Sequence, residues 1–167
     1  MNIKDFIYVR KCLGQYEKPI DIYKIRTMCL DADKQLEELI GNGLDSFGKI
    51  KEDKRILPLG KILRRYWFDE LPQLYNLKRG DIKLVGIRPM NEINWELYPD
   101  ELMKKALQQK PGLMAIDYAF PQTNNFDDKI NRMNSYLNQW NENPDQTDKE
   151  YFCKIIQSII FKGVRSS

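Results

Sequence analysis

The run "DELPQLYNLKRG", Asp69–Gly80, limits its own local structure more tightly than any other part of the chain. Proline lacks an amide donor and is tolerated only in the first turn of a helix, so a helix containing Pro72 must begin close before it. Gly80 suits a helix end, where the backbone turns left-handed. Between them Leu71, Leu74, Tyr75 and Leu77 recur at helical spacing and form an apolar stripe. Asp69 stands where an N-cap would stand. Just upstream, Leu59, Ile62, Leu63 and Tyr66 predict a helix or two helical turns within Leu59–Phe68. Just downstream, "DIKLVG", Asp81–Gly86, reads as a short strand closed by glycine.

The flanking sequence extends this pattern. Ile20–Met28 alternates, with Ile20, Ile22, Lys24 and Arg26 on one side, and its β-branched and aromatic residues favour a short strand or extended segment. Asp31–Gly43 reads as a helix with Leu36, Leu39 and Ile40 on one face, and Ser46–Pro58 as a loop of mixed charge. Pro99–Lys110 is helix-like, Pro111–Asn125 is punctuated as a loop, and Ile130, Met133, Tyr136, Leu137 and Trp140 mark another helix. A last amphipathic helix, at about 148–163, carries Phe152, Ile155, Ile156, Ile159 and Ile160. The sum is α+β: a helix-rich single domain over residues 1–167 with a few short strands.

Composition narrows the chemistry. The chain has 167 residues, 42% apolar and 31% charged, which suits one folded domain with a real core. A net charge of +3, dispersed along the chain, makes no case for nucleic acid. There is no histidine. That excludes Ser-His and Cys-His nucleophile pairs and any zinc site with a histidine ligand. Proton transfer falls to Asp, Glu, Lys, Tyr or Cys, and a metal held by oxygen ligands would be Mg²⁺. Cys12, Cys29 and Cys153 show no C-x-x-C spacing and read as small buried hydrophobes in a reduced compartment. No signal peptide is visible, and nowhere do about 18 uninterrupted apolar residues occur to span a bilayer.

Three groups of residues stand out, each with an ordinary and a functional reading. Asp69 and Glu70 suit a helix cap and a first-turn dipole partner. With Arg64 and Arg65 upstream, they also suit an ionised nucleophile or a pair of Mg²⁺ ligands. Arg88 in "VGIRPM" is a turn arginine or, stiffened by Pro89, a guanidinium aimed at phosphate. Lys24 and Arg26 form a solvated strand face or, beside Arg88, a diphosphate cradle. The last helix packs in a core or lies on a membrane surface.

In order, "IYKIRTM", "GKILRRYWFDELPQLYNLKRGDIKLVGIRPM" and "KPGL" resemble the bacterial sugar transferase family, the monotopic polyprenyl-phosphate phosphoglycosyl transferases that initiate surface-glycan assembly. The family pattern is K-x-R-T-M, then L-R-x-x-x-x-D-E-L-P-Q-L-x-N, then G-D-x-x-x-V-G-P-R-P, then P-G, and the match spans about Ile20–Leu113. The resemblance implies transfer of a sugar phosphate from a UDP-sugar to a polyprenyl phosphate with release of UMP. It implies Asp69 as nucleophile on the β-phosphorus, through an aspartyl phospho-sugar intermediate. Glu70 becomes Mg²⁺ ligand or base, with Asp69 as a second metal contact. Arg64, Arg88, Lys24 and Arg26 become phosphate-binding residues. The place implied is the cytoplasmic face of the bacterial inner membrane, peripherally attached, or the cytoplasm if the chain is truncated.

The sequence departs from the family in three places. Family members begin with a long hydrophobic segment, which is not seen here. The chain thus reads as truncated, as naturally short, or as one half of a split enzyme with a membrane partner subunit. Membrane attachment would then rest on Ile155, Ile156, Ile159 and Phe161 of the last helix. "GIRP" stands for G-P-R-P, so Ile87 leaves that loop less rigid. "MAIDYAFPQTNN" replaces a T-G-W-x-Q-V-x-G-R-like run and its arginine, and Asp117, Tyr118 and Gln122 in this loop are candidates for sugar contacts. Two other readings stay open: a non-catalytic relative acting as a binding subunit, and an unrelated helical binding domain.

Overall fold

The computed structural model describes residues 6–30, 32, 53–121, 123 and 125–161. Among them are six α-helices and four short strands, in line with the α+β expectation. The order is β1 (Ile7–Leu13), β2 (Pro19–Ile25), α1 (Pro58–Arg65), α2 (Gln73–Arg79), β3 (Lys83–Gly86), α3 (Glu92–Trp95), α4 (Asp100–Ala106), β4 (Gly112–Ala115), α5 (Phe126–Glu142) and α6 (Pro144–Phe161). β1 pairs with β2, and β3 pairs with β4. The helix expected over Asp31–Gly43 and the sugar-contact candidate Gln122 lie outside the described residues, apart from Ala32.

The described residues fall into two compact units. The first takes 6–8 and the described part of 24–72. In it, Met28 bridges Ile56, and Leu57 N–H donates to Thr27 O at 2.9 Å. Arg55 grips Asp53 through Nε at 2.8 Å and Nη2 at 2.6 Å, and its Nη1 reaches Ala32 O at 2.9 Å. That hydrogen-bonded guanidinium holds the Asp53 carboxyl below the usual carboxylate range. Helix α1 opens with Pro58 in its first turn, where no amide donor is needed.

The second unit takes Val9–Tyr23 and the described part of 73–161. Its main core gathers Val85, Trp95, Leu102, Met133, Tyr136 and Ile155, with a smaller cluster of Cys12, Ile22 and Ile82. β3 and β4 run parallel in the register Lys83↔Gly112, Val85↔Met114 and Gly86↔Ala115. Parallel neighbours need a crossover connection, and α3 and α4 supply it. Asn76 is fully buried and spends its whole side chain on neighbours: Nδ2 donates to Asp21 O and Asp81 Oδ2, and Oδ1 accepts from Tyr23 N–H. Gly80, at φ +76, ends α2 as expected.

A polar staple crosses this unit. Lys83 Nζ donates to Asp148 Oδ2 at 2.8 Å and to Tyr136 Oη at 2.9 Å, and it lies 4.6 Å from the Trp140 ring centre. Burial pulls the Lys83 ammonium below its ordinary pKa, although Asp148 opposes the shift. Lys83→Met removes the cation that three groups share. Because Asp148 keeps some exposure, the expected cost is roughly 2 kcal/mol rather than that of a fully buried pair. Urea unfolding measures it, and a variant as stable as the parent overturns the staple.

Several expected boundaries shift. The loop reading of Pro111–Asn125 is incorrect: it holds β4 and a 3₁₀ turn at Ile116–Ala119. The helix expected over Leu59–Phe68 stops at Arg65, and the one expected over Pro99–Lys110 is α4, Asp100–Ala106. The last helix begins earlier, at Pro144. Cys153 is exposed and Cys29 only partly covered, so only Cys12 meets the expectation of a buried hydrophobe.

Candidate active site

Asp69 is not a helix cap. It sits with Glu70 in a 3₁₀ turn, Phe68–Glu70, and α2 does not begin until Gln73, after Pro72. The chain gets there through Trp67, whose φ of 57° and ψ of 14° are left-handed. Trp67 N–H still bonds Arg64 O at 3.2 Å, closing α1, and Trp67 O accepts from Glu70 N–H at 3.0 Å, opening the turn.

The turn carries both carboxylates into the first unit's interior. Asp69 is 5% exposed and Glu70 8%. Lys24, near the end of β2, donates from Nζ to Glu70 Oε1 at 2.8 Å. Arg64 donates from Nε to Thr27 Oγ1 at 2.8 Å, and Thr27 is itself buried. The Asp69 Oδ1 atom is buried with no hydrogen-bond partner among the described residues. Burial pushes the Asp69 carboxyl up, Lys24 pulls it back, and neighbouring Glu70 adds to the rise. The expectation that nearby arginines dominate is therefore corrected. Arg64 exerts a weaker pull than Lys24, and Arg65 lies 5.8 Å from the Tyr66 ring centre.

Lys24, Glu70, Asp69 and Arg64 are thus brought together within one unit. Arg26 shares the unit but does not join them. It lies just past β2, its guanidinium carbon is 5.6 Å from the Tyr8 ring centre, and its Nε is shielded with no hydrogen-bond partner among the described residues. Arg88, Asp117 and Tyr118 belong to the second unit. Arg88 is half-buried in the loop between β3 and the bridge residue Met90. Asp117 is exposed in the 3₁₀ turn, and Tyr118 packs against the core.

The residues fit a divalent ion only in part. Asp69 Oδ1 offers an unused oxygen and Glu70 a second carboxylate, but among the described residues no group of three acidic, Cys or His ligands forms. Two carboxylates suit Mg²⁺, which keeps several waters and draws its remaining ligands from substrate phosphates.

The apolar faces around the turn point outward. Leu59, Ile62, Tyr66, Phe68 and Leu71 in the first unit are each about half exposed or more, as are Leu74 and Tyr75 of α2 in the second. Helix α2 buries its polar Gln73 and Asn76 instead. Conversely Ile155 is fully buried and Ile159 packs against the core, so the last helix does not offer these two residues to a membrane, contrary to expectation. Among the described residues no helix is long and apolar enough to cross a membrane.

Thr27, Gly60 and Trp67 shape the turn without having been singled out as site residues. Thr27 had a signal, since it lies within the K-x-R-T-M motif; the left-handed backbone at a tryptophan had none.

A turn that buries an Asp-Glu pair beside a lysine and an arginine belongs to a chain of the bacterial sugar transferase family, whose family model matches residues 2–161. Among its curated relatives, the galactosyl transferase CpsE of Streptococcus agalactiae serotype III is 31% identical over 138 residues, 80% of this chain and 30% of that protein. The undecaprenyl-phosphate galactose phosphotransferase of Salmonella typhimurium is 34% identical over 116 residues, 66% of this chain and 24% of that protein. A putative undecaprenyl-phosphate N-acetylgalactosaminyl 1-phosphate transferase of Bacillus subtilis is 33% identical over 96 residues, 58% of this chain and 49% of that protein. The chain thus matches between about a quarter and about half of these relatives' own lengths.

Proposed function

We propose that the chain carries the catalytic residues of a phosphoglycosyl transferase, which moves a sugar phosphate from a UDP-sugar to a polyprenyl phosphate. The observation that carries this reading is the buried, unpartnered Asp69 Oδ1 beside Glu70, Lys24 and Arg64. A carboxylate oxygen with its solvent removed and no donor satisfying it is suited to attack an electrophile. The relatives named as undecaprenyl-phosphate phosphotransferases support the substrate class.

In this mechanism an Asp69 carboxylate oxygen bonds the β-phosphorus. The bond from that phosphorus to the bridging oxygen breaks, and UMP leaves with the electron pair. A phosphate oxygen of the polyprenyl phosphate then bonds the same phosphorus and displaces Asp69, restoring the carboxylate. Lys24 and Arg64 offset the charge gathering on the phosphate oxygens. Asp69 and Glu70 would hold Mg²⁺, which neutralises diphosphate charge when bound.

The experiment is UMP release from a panel of UDP-sugars with Mg²⁺ and undecaprenyl phosphate in detergent. Release that disappears in Asp69→Asn supports the reading and names the sugar. Binding of UDP-sugar with no release from any of them points to a non-catalytic relative.

The same reading calls for peripheral contact with the inner membrane, and the α1 face with Leu59, Ile62 and Tyr66, flanked by Lys61 and Arg65, supplies an anchor in place of the core-packed Ile155 and Ile159. The chain is expected to float with phosphatidylglycerol vesicles, and the double variant Leu59→Ser, Ile62→Ser to lose at least about fivefold of that binding. A chain that stays at the bottom of the gradient overturns this.

A further inference from the structure

We propose that the left-handed backbone at Trp67 is a positioning device: it reverses the chain at the end of α1 so that Asp69 and Glu70 turn inward, and the conformational preference of residue 67 sets how firmly the pair is held. The catalytic half of this inference rests on the function proposed above.

Outside glycine, asparagine and aspartate, this conformation is uncommon, because Cβ crowds the neighbouring carbonyl. Only Tyr16, Glu17 and Trp67 among the described non-glycine residues have positive φ, and Trp67 alone adjoins the carboxylates. The residue sits where a helix commonly ends in a left-handed glycine, one place past the C-cap Tyr66. Helical dihedrals at 67 would carry α1 forward. The left-handed ones end it, and they set Trp67 O to receive the Glu70 amide at 3.0 Å while Phe68 O receives the Leu71 amide at 3.3 Å. Two residues past the reversal, Asp69 is 5% exposed and Glu70 meets Lys24 Nζ at 2.8 Å. Phe68 and Leu71, on either side of the pair, are about half exposed, so burial of these two side chains is not what turns the carboxylates in.

The test compares Trp67→Gly with Trp67→Val in the full chain. Both remove the indole, so they differ chiefly in backbone preference: glycine accepts positive φ and a β-branched residue resists it. The first readout is amide exchange at Glu70 and Leu71, which reports the turn whether or not the chain turns over substrate. The valine variant is expected to exchange at least about tenfold faster than the glycine variant, the population change that roughly 1.4 kcal/mol of backbone preference produces. Equal exchange in the two overturns the inference. The second readout is UMP release. The glycine variant is expected to exceed the valine variant at least about tenfold in kcat, with KM for the UDP-sugar within about twofold, because the reacting carboxylate moves and the bound nucleotide does not. A difference in exchange with equal kcat overturns the positioning role. A difference in exchange with no UMP release even from the unaltered chain upholds the turn device and overturns the proposed function instead.

Discussion

Asp69→Asn is expected to abolish UMP release, by at least about 10³-fold, and at the same time to raise the melting temperature. Both effects come from one atom. Asp69 Oδ1 is buried without a hydrogen-bond partner among the described residues, so the ionised carboxylate is held where its charge is poorly compensated. Burial raises the Asp69 pKa in the folded protein above its ordinary value. The folded state therefore binds a proton more tightly than the unfolded state does. The stability this confers is complete below the ordinary carboxylate pKa and is lost as pH rises through the folded value. Above that folded value the unaltered chain carries the full cost of the buried charge. An isosteric amide does not, and a gain of about 1 kcal/mol, a few degrees in melting temperature, is expected. Below the ordinary carboxylate pKa the two chains should converge, since Asp69 is then protonated in both the folded and the unfolded state. Thermal unfolding of both chains near neutrality and at about pH 3, below the ordinary carboxylate pKa, measures this. Superimposed melting curves at both would show that Asp69 is not held desolvated, and retained UMP release would remove it as nucleophile.

The sequence announces the pieces of this site better than their arrangement. Asp69, Glu70, Lys24 and Arg64 are legible because the D-E-L-P-Q-L-x-N and K-x-R-T-M runs resemble the family pattern, and because a chain without histidine leaves few residue types for proton transfer. The shape of the turn is not. Counting from Pro72, Asp69 is correctly spaced for a cap, and only the left-handed backbone at Trp67 diverts it into a 3₁₀ turn. Propensity gives no hint of this, since tryptophan is a poor candidate for that conformation. Periodicity finds the stripe of Leu71, Leu74 and Tyr75 but not the direction it faces. An apolar stripe normally marks the core side, yet here Gln73 and Asn76 are buried and Leu71 and Leu74 are exposed, while Leu77 of the same stripe packs inward. Asn76 explains the inversion: its three hydrogen bonds are satisfied only inside, so the helix is oriented by amide chemistry rather than by apolar area. The last helix fails in the opposite sense. Its isoleucines suggest a membrane face, but Ile155 is needed by the core that Tyr136 and Tyr151 build.

Gly60→Ala is expected to destabilise the first unit by about 3 kcal/mol, although alanine is the better helix former by about 1 kcal/mol. On an open helix face the same substitution would stabilise, so the sign of the effect is itself the test. A Cβ at Gly60 would press into the carbonyl oxygen of Thr27 and lie 2.9 Å from Thr27 Cβ and 3.0 Å from its carbonyl carbon. Two of these three atoms are backbone, and the carbonyl oxygen already accepts the Leu57 amide at 2.9 Å, so the neighbour cannot swing aside. Relief requires α1 to move off Thr27. That movement breaks the Leu57 bond and withdraws Arg64 Nε from Thr27 Oγ1, now at 2.8 Å. Helix α1 leads through Trp67 directly into the Asp69–Glu70 turn, so its displacement carries the carboxylates with it. Denaturant unfolding, read with amide exchange at Leu57, separates the alternatives. Loss of stability together with loss of Leu57 protection is the signature of the close approach. A Gly60→Ala chain more stable than its parent, with Leu57 still protected, would mean that α1 does not rest on Thr27 and that Arg64 is held by something else.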